Sequence, residues 1–370
     1  MTKYLIKLKP LDTFFFSQEN KYRKKLKNGK TMTEADYFQR SAYFPQQTTV
    51  FGMLRYYILL MNDQIPITDD NKAKKLIGSN SFDIGNSDPS FGKINSISEI
   101  FIIDKDNKKY YKNPKDIVIK DDKIEYLNRE KAVFKTNLSN DMQFMKNYIE
   151  KEGLSEFLYH SDDDFMAMDY DNDYDKKKNP KFPNGIFIEK EQVGITKNTK
   201  GGTLENAFYK QVFYSLLDGY SFAFFAELED DLQVEDGFVS MGAEKNPFKI
   251  TFEKLDKIEV IDISINKNNP KIVLLSDAYL SNYDKNDFQF AISSTKTFRF
   301  LKTEVKQGNK YYSSNPLKKK EIKRSDKYNL LEKGSVFYFK DNNQMDTFSN
   351  KLNSETNFIQ IGYNQHLKIQ

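Results

Sequence analysis

Residues 39–60 read QRSAYFPQQTTVFGMLRYYILL, an apolar run preceded by an aromatic residue, a proline and two threonines. Five residues of this run recur at helical spacing: Val50, Leu54, Tyr57, Ile58 and Met61. They predict a helix with one buried face, and Thr48 or Thr49 can cap it. Gly52 and Arg55 lie off that face, where glycine permits close approach of another backbone and free N–H groups suit an anion. The stretch predicts either a plain core helix or a core helix whose first turn faces a ligand.

The segments before this helix predict a strand and a hairpin. YLIKLKPLD has Tyr4, Ile6 and Leu8 on one side of a period-2 strand. The pair Asn28-Gly29 is a strong hairpin signal, and lysines surround it. This basic hairpin is either a solvated surface loop or an arm that touches phosphate.

The rest of the chain divides into two β-rich units. At 370 residues it fits about two domains of ordinary size. Strand patterns run to about residue 160 and restart after 183, so we predict domains over 1–160 and 183–370, each an antiparallel sheet with a few helices in an α+β fold. Helices are predicted within 62–92 and over 141–159, 274–282 and 341–353.

An acidic stretch separates the two units. Asp162 to Asp175 lies within a predicted linker or insertion over 161–182 and lacks apolar periodicity, so folding should not require it. The aspartates at 169, 171 and 173 resemble the start of a calcium loop. Tyr174 replaces the required glycine and Pro180 the required glutamate, which excludes an EF-hand.

Composition excludes several kinds of chemistry. The chain has no cysteine and two histidines, and its net charge is only +4. Thiolate zinc sites and disulfides are therefore excluded, and a cytoplasmic, soluble protein without a membrane span is expected. No phosphate-binding loop, dinucleotide-binding loop or metalloprotease motif is present, so we expect no cofactor, no metal and no nuclease, polymerase or NTPase activity.

Glycine-containing loops flanked by basic and aromatic residues stand out instead. They are found at 192–203, 241–245 and 362–364, and the segment 297–300 adds an arginine between two phenylalanines without a glycine. Single-stranded RNA binders combine cations and backbone N–H groups for phosphates with aromatic rings for bases. Each loop is weak evidence alone, and together they favour RNA binding only moderately.

Taken in order, these segments resemble one family. LKPLDTFFF is similar to the first strand and turn of the third subunit of the Cmr-type (type III-B) CRISPR effector complex, a member of the RAMP superfamily. SAYFPQQTTVFGMLRYYIL resembles the family's Phe-Pro-x-Pro-x-Thr-Val-x-Gly-Ala-Leu-Arg segment, with Gln47 in place of the second proline. FIEKEQVGIT, VSMGAEKNPF, GSVFYF and IGYNQHL resemble later motifs, with Gln192 replacing an arginine and Ala243 a glycine.

The resemblance implies a fold, a role and a set of partners. It implies two ferredoxin-like (RRM-like) RAMP domains with glycine-rich loops and insertions. The role is non-catalytic: the subunit holds the repeat-derived 5′ handle of the guide RNA beside the large polymerase-like subunit and the backbone RAMP subunits, with target RNA contacted indirectly. The candidate RNA-binding residues are Arg40, Gly52, Arg55, Lys197, Lys200, Gly242, Lys245, Lys296, Arg299 and Tyr363.

Two other functions stay open. A RAMP endoribonuclease that matures guide RNA would use His366 or His160 as acid or base. A pure protein–protein adaptor would not bind RNA at moderate salt.

Overall fold

The structure is a computed structural model, and it describes most of the chain. The described residues are 1–17, 23–25, 31–33, 38–79, 81–85, 90–112, 114–120, 123–126, 134–135, 142–143, 158–160, 186–197, 203–242, 244–257, 270–284, 286–306 and 319–369. The acidic stretch 162–175, Lys200 and the Asn28-Gly29 turn lie outside them.

The described residues form mixed α/β structure in which strands predominate. The helices are α1 (Gln47–Met61), α2 (Asp70–Ile77), α3 (Asn342–Ser354) and α4 (Thr356–Gln360). The strands of the first half are β1 (Thr2–Pro10), β2 (Arg23–Lys25), β3 (Thr31–Thr33), β4 (Phe38–Arg40), β5 (Ile94–Ile97), β6 (Phe101–Ile103), β7 (Lys109–Lys112), β8 (Ile117–Lys120), β9 (Lys123–Tyr126), β10 (Phe134–Lys135), β11 (Met142–Gln143) and β12 (Leu158–His160). The strands of the second half are β13 (Phe187–Lys197), β14 (Thr203–Leu216), β15 (Ser221–Leu228), β16 (Gly237–Met241), β17 (Asn246–Leu255), β18 (Lys271–Leu274), β19 (Phe290–Ile292), β20 (Thr295–Phe298), β21 (Leu301–Lys306), β22 (Lys319–Arg324), β23 (Tyr328–Leu331), β24 (Val336–Tyr338) and β25 (His366–Ile369).

The first predicted strand is confirmed as β1, an interior strand of the largest sheet. This eight-stranded sheet has the order β12-β7-β6-β15-β1-β17-β16, with β5 also paired to β15. β1 pairs antiparallel with β15 on one side and β17 on the other. Its alternation sends Ile6 and Leu8 into the core and Lys3 and Lys7 to the opposite face.

The predicted boundary at 161–182 does not separate the sheets. The eight-stranded sheet takes β1, β5–β7 and β12 from before this segment and β15–β17 from after it. Sequence periodicity identifies strands but not their partners, and here the partners of β1 lie more than 200 positions along the chain. One sheet therefore combines strands from both predicted domains.

α1 packs on this sheet through the face that its sequence predicts. Val50, Leu54, Tyr57 and Ile58 are fully buried in the main hydrophobic cluster. The predicted threonine cap is wrong: the helix begins at Gln47, and the N-cap residue Gln46 makes no side-chain cap hydrogen bond.

A second sheet of four strands has the order β19-β24-β18-β25 and comes entirely from residues 271–369. α3, predicted over 341–353, packs on it through Met345, Phe348 and Leu352. The short helix predicted within 62–92 is confirmed as α2. The helix predicted over 274–282 is wrong, because the chain is not helical there and bends after β18. The Asp277 carboxylate accepts a hydrogen bond from the Lys333 backbone N–H.

The helix predicted over 141–159 is wrong at its described ends, which are the strands β11 and β12. β12 pairs with β7 and so becomes an edge of the eight-stranded sheet. The predicted hairpin before α1 is confirmed as the antiparallel pair β2–β3.

β13 and β14 form a long antiparallel hairpin that β4 joins in parallel. Gly194, predicted in a loop, is a strand residue opposite Tyr209. Among the described residues, no helix is long and apolar enough to cross a membrane.

Candidate RNA-binding site

The chain segments with family-like motifs meet in two places. We call the first the corner, formed by Phe14–Phe16, Arg40–Ala42, Gly242 and Glu244–Asn246. We call the second the junction, formed by Phe44–Thr48, Ser98–Glu99, Asp277, Lys296, Lys333 and Gly362–Asn364.

The corner is held by hydrogen bonds to the backbone of the Phe14–Phe16 turn. The Phe16 N–H donates to Ser41 Oγ (2.8 Å), and the Phe15 N–H donates to Asn246 Oδ1 (3.0 Å). Gly242 has φ +81°, and a Cβ there would lie 3.3 Å from the Phe15 carbonyl oxygen. Two segments that are far apart in sequence are therefore fixed against one turn.

Two cations flank this turn. Lys245, with φ +51°, is exposed at the end of the Gly242 turn. Arg40 is about half exposed and makes an ion pair with Glu189 (2.9 Å). Each lies next to a residue that hydrogen-bonds the Phe14–Phe16 turn. The corner therefore presents one cation, Lys245, that makes no ion pair with the described residues, and one paired cation, Arg40.

The junction begins with the first residue of α1. Gln47 is buried, and its Nε2 donates to the carbonyl oxygens of Ser98 (2.8 Å) and Ile361 (3.1 Å). Gly362 has φ +83°, and a Cβ there would overlap Gln47 Nε2 and the Ser98 carbonyl. The departure from proline at position 47 therefore provides an amide that ties the start of α1 to the C-terminal segment.

Charged groups surround the same point. Asp277 is buried and makes an ion pair with Lys296. Burial would raise the pKa of Asp277, but Lys296 and Lys333 outweigh it and lower that pKa. Lys333 Nζ lies 3.7 Å from the ring centroid of Phe44, a cation–π contact.

Burial lowers the pKa of Lys333 to about 7; Asp277 opposes this shift, whereas Lys296 and Lys112 reinforce it. Burial also raises the pKa of Glu99, against the effects of its hydrogen bonds and of nearby lysines. The junction is thus a polar cluster in which burial disfavours the charged forms of Lys333 and Glu99, whereas Lys296 and Lys333 favour the ionised form of Asp277.

Aromatic rings join the two places. The Phe44 ring lies 6.0 Å from that of Phe222, and the Phe14 ring lies 5.2 Å from that of Phe222. Phe187 also lies 6.1 Å from Phe44. The corner and the junction are two sides of one aromatic core.

The remaining predicted residues are more scattered. Gly52 is exposed, and nothing lies within 4 Å of where its Cβ would be. Arg55 is half buried: it lies 5.5 Å from the Phe51 ring centroid, and its Nη2 contacts the Gly78 carbonyl at 3.4 Å. Burial lowers its pKa.

Lys197 ends β13, opposite Thr203, and Arg299 is half buried between the buried residues Phe298 and Phe300. The sequence predicts that Tyr363 binds RNA. Its ring is completely buried against Phe298 and Phe358 and is therefore not available to stack on a base.

The two histidines lie in different sheets, His160 in β12 and His366 in β25. His366 Nδ1 lies 2.8 Å from the Asn364 carbonyl oxygen and therefore donates to it, while Nε2 lies 2.8 Å from Ser349 Oγ. Burial lowers the pKa of His366. Both ring nitrogens are engaged with protein atoms, which does not favour acid–base catalysis by this residue.

Sequence reasoning missed Lys333, Phe44, Gln47 and Asp277. Lys333 directly precedes the GSVFYF motif. Phe44 and Gln47 lie in the stretch 39–60, and Asp277 lies in the segment 274–282 that is predicted to be a helix. Their contacts span the chain, with 314 positions between Gln47 and Ile361, and no local pattern encodes them.

Comparison with known proteins identifies the family. The sequence profile of the family described as "CRISPR-associated protein (Cas_Cmr3)" matches residues 6–370. The chain belongs to this family. It is a Cmr3-type subunit of a type III-B CRISPR effector, which confirms the resemblance found in its motifs.

Two solved structures match this chain at low identity. One chain of the cryo-EM structure of the Type III-B Cmr-beta bound to cognate target RNA has 15% identity and a TM-score of 0.48, with 99% of this chain and 96% of that chain covered. A chain of the same assembly bound to cognate target RNA and AMPPnP (state 1) has 13% identity and a TM-score of 0.47, with coverage of 100% and 99%. No curated protein sequence matches this chain.

Proposed function

We propose that this Cmr3-type chain is the non-catalytic subunit that binds and caps the repeat-derived 5′ handle of the guide RNA. It does so in the cytoplasm, beside the large polymerase-like subunit and the backbone RAMP subunits, and so supports antiviral target-RNA interference. The proposal includes two ferredoxin-like units, built on the eight-stranded and the four-stranded sheets.

The observation that carries the proposal is the corner. Lys245 and Arg40 are exposed, and they adjoin Asn246 and Ser41, which accept hydrogen bonds from the backbone of the Phe14–Phe16 turn. A phosphate ligand needs cations at fixed positions, because each rotatable cation that must be ordered on binding costs entropy. A rigid turn with flanking cations suits a defined segment of RNA better than it suits RNA coating.

Arg40 and Lys245 should contribute unequally to phosphate binding, because only Arg40 pairs with Glu189 among the described residues. Glu189 neutralises part of the Arg40 charge, whereas Lys245 projects from a turn with a fixed positive φ. Lys245 should therefore contribute more to phosphate binding than Arg40. Lys197, at the end of β13, is a third candidate contact.

The competing functions fit the described geometry less well. An endoribonuclease would need an acid and a base at one place, and His160 and His366 belong to different sheets. A pure adaptor would not need the exposed cation Lys245 beside this turn.

The test uses guide RNA from the assembled complex. We expect RNA of uniform 5′ end to co-purify, and the isolated chain to bind RNA carrying that handle more tightly than RNA of equal length without it. Equal affinity for both RNAs would refute handle binding. Lack of RNA binding at moderate salt would favour the adaptor, and metal-independent cuts in repeat RNA would favour the endoribonuclease.

A further inference from the structure

The last strand of the eight-stranded sheet, β16, has an open side. Among the residues that the structure describes, its backbone hydrogen bonds run to β17 alone. Edge strands are usually protected by lysine, proline or a bulge. β16 reads Gly-Phe-Val-Ser-Met and pairs with β17 without a shift in register, so it carries none of these devices.

Below this edge lies an exposed aromatic ring. Val239 and Met241 point to the core under α1, and alternation sends Phe238 to the opposite face of the sheet. Phe238 is 65% exposed, the largest exposed fraction of any large hydrophobic side chain among the described residues.

Above the edge lies one flank of α1. Gly52, Tyr56 and Leu60 recur every four residues and are exposed, Tyr56 at 48% and Leu60 at 37%. Phe51 packs on Phe91, with the ring centroids 4.6 Å apart. Leu60 follows Phe51 by nine residues, so it lies on the opposite side of the helix axis from Phe51. The exposed flank therefore faces away from the Phe91 side.

The direction of this flank follows from the sheet. The Phe91 side of α1 lies towards β5, which pairs with β15 on the far side of β1 from β16. On the other side, the Tyr57 hydroxyl donates to the Glu235 carbonyl (2.9 Å), just before β16. The open flank of α1 therefore looks over the open edge of β16.

Charge at the two ends of β16 is unequal. Glu235 and Asp236 are both exposed before the strand, whereas one exposed acidic residue, Glu244, and one exposed basic residue, Lys245, follow it. In the preceding segment 227–236, three acidic residues already pair with cations of this chain: Glu227 with Lys3, Asp230 with the N-terminal amino group and Asp231 with Lys93. Glu235 and Asp236 are the acidic residues next to β16. This end attracts a cation and repels phosphate.

We propose that the open edge of β16 is a docking surface for an extended strand of a neighbouring protein subunit. The added strand pairs with the backbone of β16, as in other cases of strand addition. Its residues that face α1 are apolar and cover Tyr56 and Leu60, those on the opposite face cover Phe238, and a basic residue lies beside Glu235 and Asp236. Gly52 lets the partner backbone approach α1 closely.

Hydrogen exchange in the assembled effector complex tests this surface. We expect the outward-pointing amides of 238–241 to exchange at least about tenfold more slowly in the complex than in the isolated chain. Phe238→Lys should lower incorporation into the complex at least about tenfold and leave the melting temperature within about 2 °C. Tyr283→Lys, a matched control at another exposed aromatic residue, should leave incorporation unchanged.

Several outcomes would overturn the proposal. Equal exchange in the isolated and assembled chain would show that the edge stays open. Protection already present in the dilute isolated chain would assign the edge to another segment of the same chain, and protection that grows with its concentration would assign it to a second copy. Protection produced by handle RNA without protein partners would make this an RNA surface.

Discussion

The corner and the junction use the same kinds of residue for different purposes. Each combines glycine with positive φ, lysine and aromatic rings. In the corner the Lys245 side chain is exposed, whereas in the junction the Lys296 side chain is only 33% exposed and pairs with Asp277, which is 6% exposed. Burial therefore decides whether a cation is available to RNA or serves the fold. Changes in the junction should cost stability, and changes in the corner should cost RNA affinity.

The largest effect is expected for Gly362→Ala in the junction. An alanine must adopt φ +83° and overlap Gln47 and the Ser98 carbonyl, so we expect a loss of about 2–5 kcal/mol in unfolding free energy. Denaturant unfolding measures it. Gly219→Ala, at a similar φ of +89° but with open space around it, separates backbone strain from overlap and should cost less. Equal losses for both variants would refute the packing argument.

A smaller loss is expected for Gln47→Ala. The substitution leaves the carbonyl oxygens of Ser98 and Ile361 without the Nε2 donor, at a cost of about 1–3 kcal/mol. Gln46→Ala is the matched control, because the Gln46 side chain makes no cap hydrogen bond, and it should change stability little. If the two variants unfold at the same denaturant concentration, Gln47 does not tie α1 to the C-terminal segment.

Lys333 should give the junction a pH dependence. The folded chain releases this proton at about pH 7, and the unfolded chain holds it up to about its ordinary pKa of 10.5. Between these values the unfolded state binds more protons, so the Lys333 contribution raises unfolding free energy as pH rises. Between pH 7 and pH 9, Lys333 should raise the unfolding free energy of the wild-type chain by an amount on the order of 1 kcal/mol. We expect this rise to be absent in Lys333→Met.

The control for this titration is Lys340→Met, at an exposed lysine in the same sheet region. It should keep the wild-type dependence of stability on pH. A Lys333→Met variant whose unfolding free energy follows the wild-type pH profile would show that the Lys333 ammonium is not desolvated.

The smallest effects on stability, and the specific effects on RNA, are expected in the corner. Lys245→Ala should weaken handle binding and lower the salt slope by roughly one unit while stability stays unchanged. Arg40→Ala should have a smaller effect on affinity, because Glu189 already pairs with this guanidinium. Fluorescence anisotropy at several salt concentrations measures both. An unchanged salt slope for Lys245→Ala would remove this residue from the RNA contacts.

The difference between the two regions also explains what the sequence could predict. Local periodicity predicts the buried face of α1 and the strand β1, because both patterns lie within one element. The junction depends on Gln47 meeting Ile361 and on Lys333 meeting Phe44, and such distant contacts leave no local pattern. For the same reason the sequence predicts that Tyr363 binds RNA, although Phe298 and Phe358 enclose its ring.

Photocrosslinking of guide RNA in the assembled complex tests the central claim most directly. The guide carries photoreactive nucleotides in its repeat-derived 5′ segment, and mass spectrometry identifies the crosslinked residues. We predict crosslinks in the corner, at Arg40–Ala42 and Glu244–Asn246, and none on β16 or the exposed flank of α1. Crosslinks from this 5′ segment to other subunits alone, or to the β16 edge instead of the corner, would contradict the account.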